Sequence, residues 1–148
     1  MEQTVHVCKV LTEPTRLRIL ALLDQSELCV CTLVAVLQVP QSTVSRHLAL
    51  LKAAGWICER RQGVWMYYRL AREGVPLQAA LCRDILAHLA GLAEVRRDRK
   101  RLARYLLAQG KKGCGWGQGG QPRPVGFSAK VSRKSEDNDL RDKTNEHL

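Results

Sequence analysis

Residues 40–56, Pro-Gln-Ser-Thr-Val-Ser-Arg-His-Leu-Ala-Leu-Leu-Lys-Ala-Ala-Gly-Trp, constrain the fold more than any other stretch of this chain. Val44, Leu48 and Leu51 recur at helical spacing and form one apolar stripe. Gln41, Ser42, Thr43, Ser45, Arg46 and His47 crowd the first two turns of the same helix. Short polar groups, a guanidinium and an imidazole at a leading end suit contact with base edges and phosphates in a major groove, while the apolar stripe docks on a domain. An ordinary surface helix with a cluster of capping residues is the competing reading. Gly55 stands where a left-handed residue ends a helix.

The flanking segments favour the first reading. Val5, Cys8, Val10 and Leu11 suit a short opening helix. Thr12 is the expected N-cap of a second helix, with Pro14 in its first turn, where a missing N–H is harmless. Leu17, Ile19, Leu20, Leu22 and Leu23 carry that helix into the core. A third helix is expected from Val30 to Gln38, with Leu33, Val36 and Leu37 inward. Val39-Pro40 turns into the polar-ended helix, which makes a helix-turn-helix. After Gly55 the period changes. Residues 56–61 and 64–69 are rich in β-branched and aromatic side chains, with Gln62-Gly63 between them, and predict a β-hairpin. Arg60 and Arg61 near its tip would meet phosphates or a minor groove. Trp65, Tyr67 and Tyr68 are expected to pack inward rather than stack on bases.

Pro76 opens a further apolar stripe of Leu77, Leu81, Ile85, Leu89, Leu92 and Val95, which predicts one long helix reaching about Leu107. So long a stripe exceeds what a small core covers and predicts a homodimer, anchored by Leu81, Ile85, Leu89 and Leu92. The expected organisation is a domain over 1–108 and a tail over 109–148. The tail is Gly-rich, then polar, and its composition predicts disorder. The fold class is mostly α with a β-hairpin wing: a dimeric winged helix-turn-helix.

The formal charge is +10 over 148 residues, which points to an anionic partner, nucleic acid first. No apolar run is long enough for a membrane span and no leader pattern opens the chain, so a cytoplasmic location without membrane contact is expected. Thiols rather than disulfides are then expected for Cys8, Cys29, Cys31, Cys58, Cys82 and Cys114. No nucleophile–base pair, phosphate loop or carboxylate dyad is present, so an enzyme is not expected.

Glu13-Pro14-Thr15-Arg16-Leu17-Arg18-Ile19-Leu20, Glu27-Leu28-Cys29-Val30-Cys31, Gln41 to Leu48, Arg60-Arg61-Gln62-Gly63 and Tyr67-Tyr68-Arg69-Leu70 together resemble the ArsR/SmtB family of metal-responsive winged-helix repressors, over about residues 5–105. The resemblance implies a homodimer on operator DNA that is released when a metal or metalloid binds. It implies no permanently bound cofactor, with arsenite or antimonite as inducer on Cys29 and Cys31. On an ideal helix, residues i and i+2 point about 200° apart. The pair can therefore share an ion only outside regular helix, and binding is expected to strain or unwind the first helical turn. The third cysteine usual in arsenic-sensing members is Val34 here, and the usual acidic residue is Thr32. The third ligand is therefore open: Cys8 is ranked above Cys114, because ordering a Gly-rich tether costs conformational entropy. Cys58 and Cys82 are expected to be structural. The family's other site, on the last helix, needs an Asp-x-His pair, whereas Asp84 and His88 stand four apart, so no zinc site is expected there. A cadmium or lead sensor and a thiol redox sensor are the alternatives.

Overall fold

The computed structural model describes residues 1–71 and 76–112. Helix α1 (Glu2–Lys9) runs through a 3-10 turn into α2 (Pro14–Leu23); strand β1 (Leu28–Cys29) then leads into α3 (Val30–Leu37). Helix α4 (Gln41–Ala53), strands β2 (Ile57–Gln62) and β3 (Trp65–Leu70), α5 (Pro76–Leu89) and α6 (Ala93–Lys112) follow. The sheet is antiparallel with order β1-β3-β2. This is a winged helix-turn-helix.

Helix α2 is the centre of the core. Ile19, Leu20, Ala21, Leu22 and Leu23 are all buried, so its C-terminal half has no solvent face. Each such Leu or Ile contributes about 1.5–3 kcal/mol on burial. Val44, Leu48 and Leu51 of α4 pack against it, and Leu33, Val36 and Leu37 of α3 join the same core, as their spacing predicts. Trp56 is fully buried, and its Nε1–H donates to the Val7 carbonyl at 3.1 Å, tying α1 to the end of α4.

Local chemistry explains the helix boundaries. The N-cap of α2 is Glu13, whose carboxylate accepts the Arg16 N–H, while Thr12 turns back to the Lys9 carbonyl. The expected Thr12 cap is thus displaced by one residue, because a carboxylate also complements the positive helix end. Helix α4 ends in two reversed bonds, Trp56 N–H to Leu51 and Gly55 N–H to Lys52, which place Gly55 at φ +76°. Only glycine accepts that backbone conformation cheaply. Gly63 (φ +60°) turns the hairpin in the same way. Strand β1 was not expected, since two residues carry no readable period.

The expected single long helix from Pro76 is two helices. Ala90 to Leu92 turn between α5 and α6, with Gly91 N–H bonded to His88 and Leu92 N–H to Leu89. The break lets α6 fold back on α2 and α3, burying Val95, Asp98 and Leu102. Asp98 is 1% exposed and takes a bidentate pair of bonds from Arg18, at 2.6 and 2.8 Å. The break corrects the anchor set too. Leu89 belongs to this chain's own core, Leu81 and Ile85 are half-buried against it, and only Leu77 and Leu92 are open to solvent. Cys114 and most of the tail lie outside the described residues; α6 continues to Lys112, beyond the expected boundary.

Candidate nucleic-acid interface and thiol site

Helix α4 presents Gln41, Ser42, Ser45 and Arg46 to solvent, with Thr43 half-buried. Its N-cap is Pro40, and no side chain caps the helix. The polar cluster is therefore not a capping cluster. A left-handed Gln38 (φ 59°) and the extended Pro40 make the turn that separates α4 from α3.

His47 departs from that surface. It is 5% exposed, and its Nδ1 lies 3.7 Å from the Glu13 carboxylate without forming a hydrogen bond. Burial holds its pKa below 6.5. The Glu13 charge opposes that shift, and Arg16 and Arg46 reinforce it. The neutral imidazole packs between α4 and the start of α2, which corrects the expectation that it reaches DNA. At three residues from Val44 and four from Leu51, position 47 lies beside the apolar stripe.

The two wing arginines also differ. Arg61 is exposed at the tip, with its Nε bonded to the Gly63 carbonyl at 3.1 Å. Arg60 is committed inside the chain. Its Nε and one terminal nitrogen donate to the two Glu27 oxygens at 2.8 and 2.7 Å, and the other terminal nitrogen donates to Gln62 at 2.8 Å. Its guanidinium carbon lies 5.3 Å from the centre of the Tyr67 ring. These bonds engage the fork that would grip a phosphate, so in this structure Arg60 is not presented to phosphates or a minor groove as its place near the hairpin tip suggests. Trp65 is 44% exposed and Val64 86%, so the expected inward packing fails for Trp65; Tyr67 and Tyr68 are half-buried. The register explains this: Trp65 pairs with Gln62 at the last rung before the turn, beyond the reach of the core.

Cys29 is the extended N-cap of α3 (φ −86°, ψ 166°), and Cys31 is the second residue of the helix. That backbone change turns the two side chains together, and the structure joins them as a disulfide with Cα atoms 5.5 Å apart. The expectation of six thiols is corrected at this pair; Cys8 and Cys58 stand outside it as thiols. The expected unwinding of the first helical turn is likewise not required for the sulfurs to meet, because Cys29 already lies outside the helix. Cys29 is buried and Cys31 exposed. The Cys29 sulfur lies 3.2 Å from the buried Thr32 hydroxyl. Reduced, the pair is a soft two-sulfur donor set suited to a thiophilic ion. Among the described residues, no group of three or more His, Cys, Asp or Glu side chains is placed to hold a metal. Within one chain Cys8, exposed on α1, does not complete a three-ligand set with the pair.

Cys29 also belongs to the sheet. It pairs with Tyr67 of β3, and Tyr67 pairs on its other side with Arg60 of β2. The sulfur pair is thus one rung from the wing and at the head of the helix preceding α4. Glu27 was legible only as part of a motif; its partner stands 33 residues away, beyond any local pattern. Asp98 was missed in the same way, because a lone acid in a basic segment reads as solvated.

The model of the arsR family of bacterial regulatory proteins matches residues 13–57. The arsenical resistance operon repressor of Escherichia coli (strain K12) is 44% identical over 81 residues, 54% of this chain and 68% of that protein. The arsenic resistance transcriptional regulator ArsR1 of Pseudomonas putida KT2440 is 47% identical over 68 residues, 45% of this chain and 53% of that one. Among solved structures, reduced HlyU from Vibrio cholerae superposes with a TM-score of 0.51 at 30% identity, over 62% of this chain and 92% of that one. The homodimeric winged helix-turn-helix DNA-binding domain of Mb0332 from Mycobacterium bovis gives a TM-score of 0.52 at 30% identity, over 62% and 82%.

Proposed function

The chain belongs to the arsR family of bacterial regulatory proteins, and from that premise we propose that it represses transcription as a homodimer on operator DNA and leaves the DNA when trivalent arsenic or antimony binds the Cys29–Cys31 pair. The arsenical resistance repressors among its relatives support the inducer class. The observation that carries the reading is the convergence of the two cysteine sulfurs at the head of α3, one rung from the wing. Cys29 and Cys31 would hold the inducer in the dithiol state. Cys8 from a second copy, or Cys114, would supply a third sulfur.

Gln41, Ser42, Thr43, Ser45 and Arg46 read the operator, with Arg61 on a phosphate. The dimer forms on the outer face of α5 and the turn that follows it, where Leu77 and Leu92 are exposed beside half-buried Leu81 and Ile85, with help from Val5 on α1. Charged substitution at Leu77 and Ile85 should give a monomer in sedimentation with much weakened operator binding; a monomer binding as tightly as the parent contradicts this arrangement.

The deciding experiment titrates reduced protein on promoter DNA with arsenite, antimonite, cadmium, lead and zinc. Release by arsenite and antimonite at the lowest concentrations is expected. Release by cadmium or lead alone would transfer the function to those ions. Truncation after Gln109 asks whether Cys114 takes part: an unchanged arsenite response excludes Cys114. The Cys29–Cys31 bond favours a second reading, in which a peroxide or a disulfide takes two electrons from the dithiol and the disulfide form leaves DNA. Equal operator affinity in the dithiol and disulfide forms would exclude it.

A further inference from the structure

Glu27 lies two residues before Cys29, on the segment that enters β1. Its carboxylate is largely buried on the wing, its two oxygens accepting from Nε and one terminal nitrogen along one edge of the Arg60 guanidinium. The Arg60 guanidinium lies over Tyr67, and Tyr67 is the residue that pairs directly with Cys29. Two routes thus join the sulfur pair to the same arginine: the backbone rung from Cys29 to Tyr67, and the chain from Cys29 back to Glu27. Strand β1 holds both routes with only two paired residues, Leu28 and Cys29. So short a ladder is easily shifted. The Arg60 side chain is 49% exposed, and an ion pair open to water to that degree is weak enough to yield to a modest displacement. A ligand on the Cys29 sulfur also competes with the Thr32 hydroxyl that now contacts it, and so acts on the residue that anchors the strand.

We propose that the Glu27–Arg60 clasp is the latch by which the state of the Cys29–Cys31 pair is read at the wing: Glu27 is a positioning residue that holds Arg60 while no ion bridges the two sulfurs, as in the disulfide-bonded structure, and gives it up when an ion bridges them. The proposal rests on the reading of the pair as the inducer site. It makes Arg60 a transmitter of inducer binding, which explains why its fork is spent inside the chain while Arg61 is left for DNA.

The test uses the full-length reduced protein and phenylarsine oxide, a trivalent arsenical that bridges two neighbouring thiols. The Arg60 Nε–H resonance is identified by its loss in Arg60→Lys, and its exchange with water is measured. A bonded Nε–H exchanges slowly. Addition of the arsenical should accelerate the exchange by about fivefold or more, within the usual range of site-to-site coupling. Glu27→Gln should exchange fast without any arsenical, and the arsenical should then add nothing. An Arg60 exchange rate that ignores the arsenical overturns the proposal. So does an arsenical response in Glu27→Gln equal to that of the parent.

A second arm measures operator affinity with and without the arsenical. Glu27→Gln and Arg60→Lys should each reduce the ratio of the two affinities about fivefold or more. Arg60→Lys keeps the charge but cannot make the bidentate fork, and it serves if Glu27→Gln fails to fold. Parent-like ratios in these variants overturn the latch. Failure of the parent protein to bind operator DNA would defeat the repressor reading alone, since the exchange experiment contains no DNA.

Discussion

Two arginine–carboxylate forks hold this molecule together, and they share a geometry without sharing a role. Arg18 grips Asp98 where α2 meets α6, and Arg60 grips Glu27 where the wing meets β1. The carboxylate of the first pair is 2% exposed and its arginine 17%; the second pair stands at 14% and 49%. Burial separates them. A charge deep in a domain cannot be left without its partner, whereas a half-solvated one can turn to water at small cost. The inner fork is therefore suited to fix a helix, and the outer one to open.

The largest expected effect comes from breaking the inner fork. Asp98→Ala leaves Arg18 with only the more exposed Glu94, 3.5 Å away, and should cost about 3 kcal/mol of stability, the low end for a broken buried pair, read as an earlier urea unfolding midpoint. A loss as small as that of an exposed pair would erase the contrast. Arg46→Ala leaves the fold alone and should weaken operator binding by about 1–3 kcal/mol, with relaxed sequence preference, if this arginine touches a base edge. Unchanged affinity would remove α4 from the interface. Glu27→Gln should lower thermodynamic stability by no more than about 1 kcal/mol, which a urea titration beside Asp98→Ala makes plain. The wing sharpens the comparison further. Arg61→Ala should reduce the salt dependence of DNA binding by about one counterion, while Arg60→Lys should leave that slope close to the parent's. Equal slopes for Arg61→Ala and the parent would mean that Arg61 does not face phosphate.

The smallest effect is one of pH. Burial lowers the His47 pKa below its ordinary 6.5, so below that pH the unfolded chain binds the proton more readily than the folded one. Its contribution to stability is present above pH 6.5 and is lost as pH falls from there toward the lowered folded value. Glu13 acts in the same sense at lower pH. Burial works against its charge, but bonds from the Arg16 and Thr15 backbone and the Thr15 hydroxyl outweigh it and bring its pKa below 4.5. His47→Gln should flatten the stability profile below pH 6.5 relative to the parent. A parallel profile would show that His47 titrates as it does in water.

What could be read from the chain alone followed from period and punctuation. Val44, Leu48 and Leu51 marked the inner face of α4, Gly55 its end, and Gln62-Gly63 the wing turn, because a backbone conformation and a spacing of 3.6 or 2 leave local traces. Cys29 and Cys31 were legible as a pair for a soft ion, along with the need for non-helical backbone between them. Where side chains find partners far along the chain, local pattern carries no information. His47 and Arg60 looked like DNA contacts because each is polar and well placed in its own element. Only the packing of α2 behind α4 buried His47, and only Glu27 beside the wing engaged the fork of the still exposed Arg60. The stripe from Leu77 to Val95 read as one helix because its spacing is unbroken. The turn at Ala90 to Leu92 wins because folding α6 back buries Val95 and Leu102 and gives Arg18 its carboxylate, a gain that exists only once three helices are together.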